Sequence, residues 1–303
     1  MKPDALAYPK SDAHGVSRPK WLDVLVLAKV RVNSLVVATT AGGYYMATRD
    51  GIDWSVLLLV SIGTALVASG AAAINQVDER DTDRLMNRTR TRPMSDGRMS
   101  VAEGRAIAAA FAAVGLLILW LSANTVATLV ALATLVSYAL IYTPLKRRTS
   151  LATIIGAVPG ALPPLIGWAA VRGSVAGPQP WVLFVIMFVW QLPHFLAIAW
   201  IFRDDYARAG LKMLPVVEGA DGGVTGRQTA LWAAILIPLG LLPLMFGLAD
   251  TTYAVGSLAL GVAQFLLALQ FARRRTLATA RGLFYGSIVY LPLLWALMAI
   301  GKR

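Results

Sequence analysis

Apolar runs of about 20 residues recur along the whole chain, each long enough to cross a hydrocarbon core about 30 Å thick. They fall at roughly 24–47, 54–77, 105–122, 125–142, 152–171, 181–202, 229–248, 252–271 and 283–300. Backbone groups in lipid must find partners within their own segment, so the pattern predicts an all-α integral membrane bundle of nine transmembrane helices. Residues 1–20 are polar, carry Pro3, Pro9, Gly15 and Pro19, and read as a disordered tail. They do not form a signal peptide: the apolar stretch after Trp21 is too long for one and contains Lys29 and Arg31. Residues 21–303 are expected to be one transmembrane domain.

Charge orients the bundle. Of the 28 Lys and Arg, all but Arg49, Arg172, Lys302 and Arg303 fall in the tail, near the start of the first span or in alternate connections. That bias puts the N-terminus and the long charged loops in the cytoplasm, as in a multi-pass protein of the cell (inner) membrane. The net charge of +12 then follows from topology and from anionic ligands or lipid headgroups, without nucleic acid. Cysteine is absent, which excludes disulfides, thiolate catalysis and thiolate metal sites.

The polar chemistry gathers on the charged face. Asn75, Glu79 and Asp83 lie at i, i+4 and i+8, on one face of a helix. Three hard oxygen donors suit Mg2+, which is held by a few carboxylates together with substrate phosphates. Asp78 and Asp81 diverge from that face. Arg84, Arg88, Arg90 and Arg92 follow directly, and turn spacing lets Arg88 and Arg92 converge on one phosphate. A cation site beside an anion site points to a diphosphate. Lys146 and Arg147 close the fourth span on the same face and are candidates for the same anion, as Lys29 and Arg31 are unless they only snorkel. Three prolines and two glycines between Val158 and Trp168 predict a broken helix walling a pocket. Gln191-Leu-Pro-His194 lies inside the sixth span. His194 can face a haem-like ligand, shuttle a proton, or be a core histidine bonded to Gln191. Asp205 and Tyr206 form part of a second loop cluster ending in Gly210 and Pro215.

Together these motifs resemble the UbiA superfamily of intramembrane prenyltransferases. Its first aspartate-rich motif, N-D-x-x-D-x-x-x-D, is matched as Asn75-Gln76-x-x-Glu79-x-x-x-Asp83. Met86 to Pro93, Tyr142 to Arg148, Gly156 to Trp168 and Trp190 to His194, running into Arg203 to Pro215, are similar to its haem-farnesylating branch. The second superfamily motif, D-x-x-x-D-x-x-x-G, falls on Phe202 and Tyr206. Neither is a metal carboxylate, which argues against a phenolic acceptor of the quinone type.

The resemblance implies a UbiA-type bundle that uses Mg2+ to transfer the farnesyl group of farnesyl diphosphate to a vinyl group of haem B. It assigns Asn75, Glu79 and Asp83 to metal and catalysis, and Arg88, Arg92, Lys146 and Arg147 to diphosphate. It leaves His194, Asp205 and Tyr206 for haem binding or proton transfer. Membrane lipid is the surrounding partner, and a haem A synthase is implied downstream. Alternatives are a UbiA-type enzyme with an aromatic or chlorin acceptor, or a haem carrier. A carrier binds near the membrane midplane, whereas these polar residues crowd one face.

Overall fold

A computed structural model describes residues 19–303 apart from residue 220. The expected tail lies outside the described residues except at its end, where Lys20 already opens a helix. Helices α1 (Lys20–Leu27) and α2 (Val30–Ala47) form the first span, bent by 49° between them. The others are α3 (Trp54–Asp78), α4 (Val101–Ser122), α5 (Thr125–Leu145), α6 (Ala152–Arg172), α7 (Pro178–Ile201), α8 (Gly223–Met245), α9 (Thr251–Arg274) and α10 (Leu277–Ile300). Eight helices are long and apolar enough to cross a membrane, and the bent first pair, counted as one span, makes the expected nine; no strand occurs among the described residues. Several begin before their apolar run because capped polar turns extend past it. Thr276 and Thr279 cap α10 in this way, and Ser100 with Glu103 caps α4.

Lipid is as apolar as leucine, so close backbone approach holds such helices together. On α2 and α6, Gly43 faces the Pro164 backbone and Gly167 faces the Thr40 carbonyl. A Cβ on either glycine would fall about 2 Å from an oxygen of the other helix. Two cores result. One joins Val60, Val67, Leu119, Ala131 and Ile166 of α3 to α6. The other joins Trp168, Trp190, Leu236, Tyr253, Leu291 and Leu294, with α6 and α7 carrying it between the halves.

The proline-rich stretch behaves more mildly than the sequence predicts. Its helix is interrupted at Leu162, with a helical backbone there (φ −75°, ψ −28°), and one direction is kept throughout. The reason is packing on several sides: Gly156 meets Tyr142, Gly160 meets Gln191, and Gly167 meets α2. Gln191 donates from Nε2 to the carbonyls of Met187 (2.9 Å) and Ala157 (3.3 Å), tying α7 to α6.

The charged face is built from short helices, Arg80–Asp83, Pro93–Asp96, Arg203–Arg208 and Leu214–Val217. Contacts tie the loop systems together. The Lys212 N–H donates to the Lys146 carbonyl at 2.9 Å, and Met86 packs with Tyr206, Ala209 and Leu211.

Candidate active site

The acidic motif does not ride on one uninterrupted helix. α3 ends at Asp78, Glu79 leaves helical geometry (φ −93°, ψ 4°), and a separate turn carries Asp83. The i+4 register nevertheless survives the break. Glu79 N–H donates to the Asn75 carbonyl at 2.9 Å, and Asp83 N–H donates to the Glu79 carbonyl at 2.7 Å. The three side chains therefore stay stacked, with Asn75 and Asp83 each only 1% exposed.

Each oxygen donor meets its own cation. Lys29 Nζ donates to Asn75 Oδ1 at 3.0 Å. Arg92 Nη1 donates to Asp83 Oδ2 at 2.7 Å. Lys146 Nζ stands 2.8 Å from Glu79 Oε1 and 4.5 Å from the Tyr142 ring centroid. That ammonium is off the direction of a good hydrogen bond, so Glu79 Oε1 is a buried oxygen without a hydrogen-bond partner, as is Asp83 Oδ1. Burial works against ionisation of Glu79, but Lys146, Lys29 and Asn75 outweigh it and hold the carboxyl below its ordinary range. Burial likewise opposes the Lys146 ammonium, and Tyr142 and Glu79 more than reverse it, raising Lys146 above the usual lysine range. Both groups are charged at neutral pH.

The local backbone explains how three cations reach the interior. Lys29 sits in the break between α1 and α2 in a left-handed conformation (φ 49°, ψ 45°), which is uncommon for a non-glycine residue and recurs at functional sites. The break frees the last carbonyls of α1. Gln76 Nε2 takes up two of them, Leu27 at 2.8 Å and Val26 at 3.2 Å. Gln76, where the superfamily motif has aspartate, is thus a cap for the kink. Asn75 Nδ2 donates to Thr143 Oγ1 at 3.2 Å, and that hydroxyl donates to the Tyr138 carbonyl at 3.0 Å. The widened π-helical turn Ser137–Tyr142 carries α5 round to this contact. Asn75 is fixed by the pair, its amide nitrogen toward Thr143 and its oxygen toward Lys29.

Other expected residues divide. Arg88 is exposed and stacks on Phe202, its guanidinium carbon 4.8 Å from the ring centroid, while Arg92 turns to Asp83. The expected convergence of Arg88 and Arg92 is not seen, because the turn at Met86 to Thr89 aims them at different partners. Lys146 is buried while Arg147 stays exposed. Arg147 lines a cleft of about 400 Å³ with Glu79, Thr82, Thr143 and Arg148, so the two basic neighbours address different sides of Glu79. Arg31 is exposed and Lys29 turns inward.

The grouping of His194 with Asp205 and Tyr206 is also not seen. Asp205 pairs with Arg208 in the loop, and Tyr206 packs on Met86. His194 faces α10, its Nδ1 2.7 Å from Ser287 Oγ. Gln191, the partner considered from sequence, points to α6 instead. Lys29, Thr143 and Ser287 are the residues that sequence reasoning underweights. For Lys29 the signal was available, a charge inside a span; lone hydroxyls in apolar helices give none.

The donor set fits a divalent cation. Asp83 Oδ1 is buried without any partner, Glu79 Oε1 is buried with only the charge of Lys146 beside it, and the Asn75 amide oxygen meets Lys29; no group of three or more Asp, Glu, His or Cys suited to a metal occurs among the described residues. Such a shell leaves coordination positions for phosphate and water, which is the habit of Mg2+.

The helical membrane bundle, with its buried shell of carboxylates and cations at one face, is that of an intramembrane prenyltransferase: residues 35–297 match the UbiA prenyltransferase family, to which the chain belongs. Among its relatives, the protoheme IX farnesyltransferase of Solibacter usitatus is 41% identical over 92% of this chain and 98% of its own. That of Sorangium cellulosum is 41% identical over 88% and 100%. The fold is shared with a structure of digeranylgeranylglyceryl phosphate synthase, with a TM-score of 0.76 at 16% identity over 93% of this chain and 98% of that one. It is also shared with a UbiA homolog from Archaeoglobus fulgidus bound to GPP and Mg2+, with a TM-score of 0.68 at 17% identity over 91% and 99%.

Proposed function

We propose that this chain transfers the farnesyl group of farnesyl diphosphate to a vinyl group of haem B, with addition of water, giving haem O and diphosphate. The observation that carries the chemistry is the buried shell in which Asn75, Glu79 and Asp83 meet Lys29, Lys146 and Arg92 at 2.7–3.0 Å. The acceptor is taken from relatives about 40% identical over most of the chain.

Asn75, Glu79 and Asp83 would hold Mg2+, which when bound offsets charge on the departing diphosphate. Lys29, Lys146 and Arg92 bind the diphosphate oxygens as fixed cations in a water-poor shell, where they favour the charge that grows as the C1–O bond breaks. Arg147, at the cleft, and Arg88 guide diphosphate on its way in and out. The electron pair of that bond leaves with diphosphate. The vinyl π-bond supplies the pair for the new bond to C1, the ring-side vinyl carbon takes the oxygen of water, and water gives up a proton. No side-chain nucleophile is needed. The apolar interior of α2 to α10 receives the prenyl chain and porphyrin and keeps water from the allylic cation. His194 belongs to the haem side of this chamber, and Asp205 and Tyr206 to the loop that closes the shell. The charged face is cytoplasmic in the cell membrane on the charge bias. The product would pass to a haem A synthase.

Membranes containing the chain, given haem B, Mg2+ and labelled farnesyl diphosphate, should place label in a haem of longer chromatographic retention. Label in free farnesol alone would defeat this reading.

A further inference from the structure

The hydroxyl of Ser287 has one proton, and its direction decides the state of His194. Ser287 Oγ donates to the Phe284 carbonyl at 2.6 Å. It can therefore only accept from His194 Nδ1, which lies 2.7 Å away. Nδ1 therefore carries a proton, and in the neutral ring the lone pair lies on Nε2, for which no hydrogen-bond partner exists among the described residues. Ser287 is itself held: it is fully buried, and its carbonyl accepts from Trp190 Nε1 at 3.0 Å. Trp190 and Phe284 stack on the imidazole at centroid distances of 5.2 and 5.1 Å, inclined by 19° and 26°. A histidine whose Nδ1–H is committed and whose ring is clamped presents Nε2 as a metal ligand with its orientation already set.

Helical rise places His194 about 10 Å below the charged-face end of α7. That depth is within the apolar length of α7, set back from the charged face on which the shell lies. Resting on the haem reading above, we infer that His194 Nε2 is the axial ligand of the iron of the acceptor haem, and that Ser287 is the positioning residue that fixes its tautomer. Ligation then sets the height and tilt of the porphyrin, and with them which vinyl edge reaches the prenyl carbon.

The test is haem B binding to the purified full chain, without a polyhistidine tag and without farnesyl diphosphate, followed by optical and resonance Raman spectra. Wild type should show a histidine–iron signature. His194→Ala should lose it and bind haem at least tenfold more weakly, while farnesyl diphosphate binding is unchanged. Ser287→Ala should keep haem but shift the iron–histidine band, and Ser287→Thr, which retains the hydroxyl, should restore it. A histidine signature that persists in His194→Ala overturns the assignment of the ligand while leaving the haem reading intact. So does slowed turnover in that variant with normal haem affinity and spectrum, which would make His194 an acid–base group. Failure of the wild type to bind haem at all defeats both readings.

Discussion

Arg92 closes on Asp83 Oδ2 at 2.7 Å while the other oxygen of the same carboxylate, equally buried, has no partner. A buried carboxylate half-satisfied in this way is costly unless something else binds it. The pairing with Arg92 keeps the charge in place, and the free oxygen is where a cation completes the shell. Glu79 differs: its buried Oε1 is itself the oxygen that Lys146 approaches, at 2.8 Å and without a hydrogen bond.

Removal of either carboxylate should therefore stop turnover. Asp83→Asn and Glu79→Gln, which keep shape, are expected to lower kcat/KM by about 10²-fold or more while the protein still reaches the membrane. Asp81→Ala should stay within a few-fold of wild type, since Asp81 is 61% exposed and pairs only with Arg80 and Arg84. Steady-state kinetics across a Mg2+ titration checks this. Near-normal activity and unchanged Mg2+ dependence in both buried variants would mean the cation binds elsewhere.

Lys29 offers a separation of stability from binding. Its left-handed backbone (φ 49°) is strained by about 1 kcal/mol for any residue with a Cβ and free for glycine. Lys29→Gly should melt higher than Lys29→Ala, and both should bind farnesyl diphosphate more weakly for want of the ammonium at Asn75. Equal melting of the two variants would remove the argument for strain at this position.

Gln76 is predicted to act through the fold. Gln76→Asp restores the superfamily's residue but turns acceptors toward the Val26 and Leu27 carbonyls that Nε2 now serves. The Val26 carbonyl still accepts from the Lys29 N–H, but the Leu27 carbonyl is left unpaired, which costs about 1–3 kcal/mol. Thermal denaturation in detergent should show the loss, with no second Mg2+ in binding isotherms. A stable variant with a second metal site would show that Gln76 replaced a ligand.

Much of this was legible in the residues because the physics is local. Apolar length alone reveals the spans, and i, i+4, i+8 spacing reveals Asn75, Glu79 and Asp83 even across the break at Glu79, since the hydrogen-bond register is preserved there. What sequence could not supply was direction. Nothing local says that Lys29 turns inward and Arg31 outward, because a tertiary contact to Asn75 decides it. The stacking of Arg88 on Phe202 joins residues from two loops, and Ser287 acquires a role only when α10 packs on α7. Spacing predicted that Arg88 and Arg92 would meet, and the turn between them sends them apart.

The charge asymmetry predicts the topology. Reporter fusions at residues 97 and 222 should read cytoplasm, and fusions at 51 and 176 the opposite side. A cytoplasmic reading at 51 or 176 would contradict the nine-span arrangement that brings Lys29, Asn75 and Lys146 to one face.

The central claim is that one buried shell releases diphosphate so that the haem vinyl group captures the prenyl group and water then adds to the ring-side vinyl carbon. The most direct measurement is mass spectrometry of the haem pool after incubating the purified chain with haem B, farnesyl diphosphate and Mg2+ in water enriched in heavy oxygen. The account predicts a haem heavier by one farnesyl group and one water, carrying the heavy oxygen, in wild type and far less of it in Asp83→Asn. Unaltered haem beside consumed farnesyl diphosphate, or a farnesylated haem without the solvent oxygen, would contradict it.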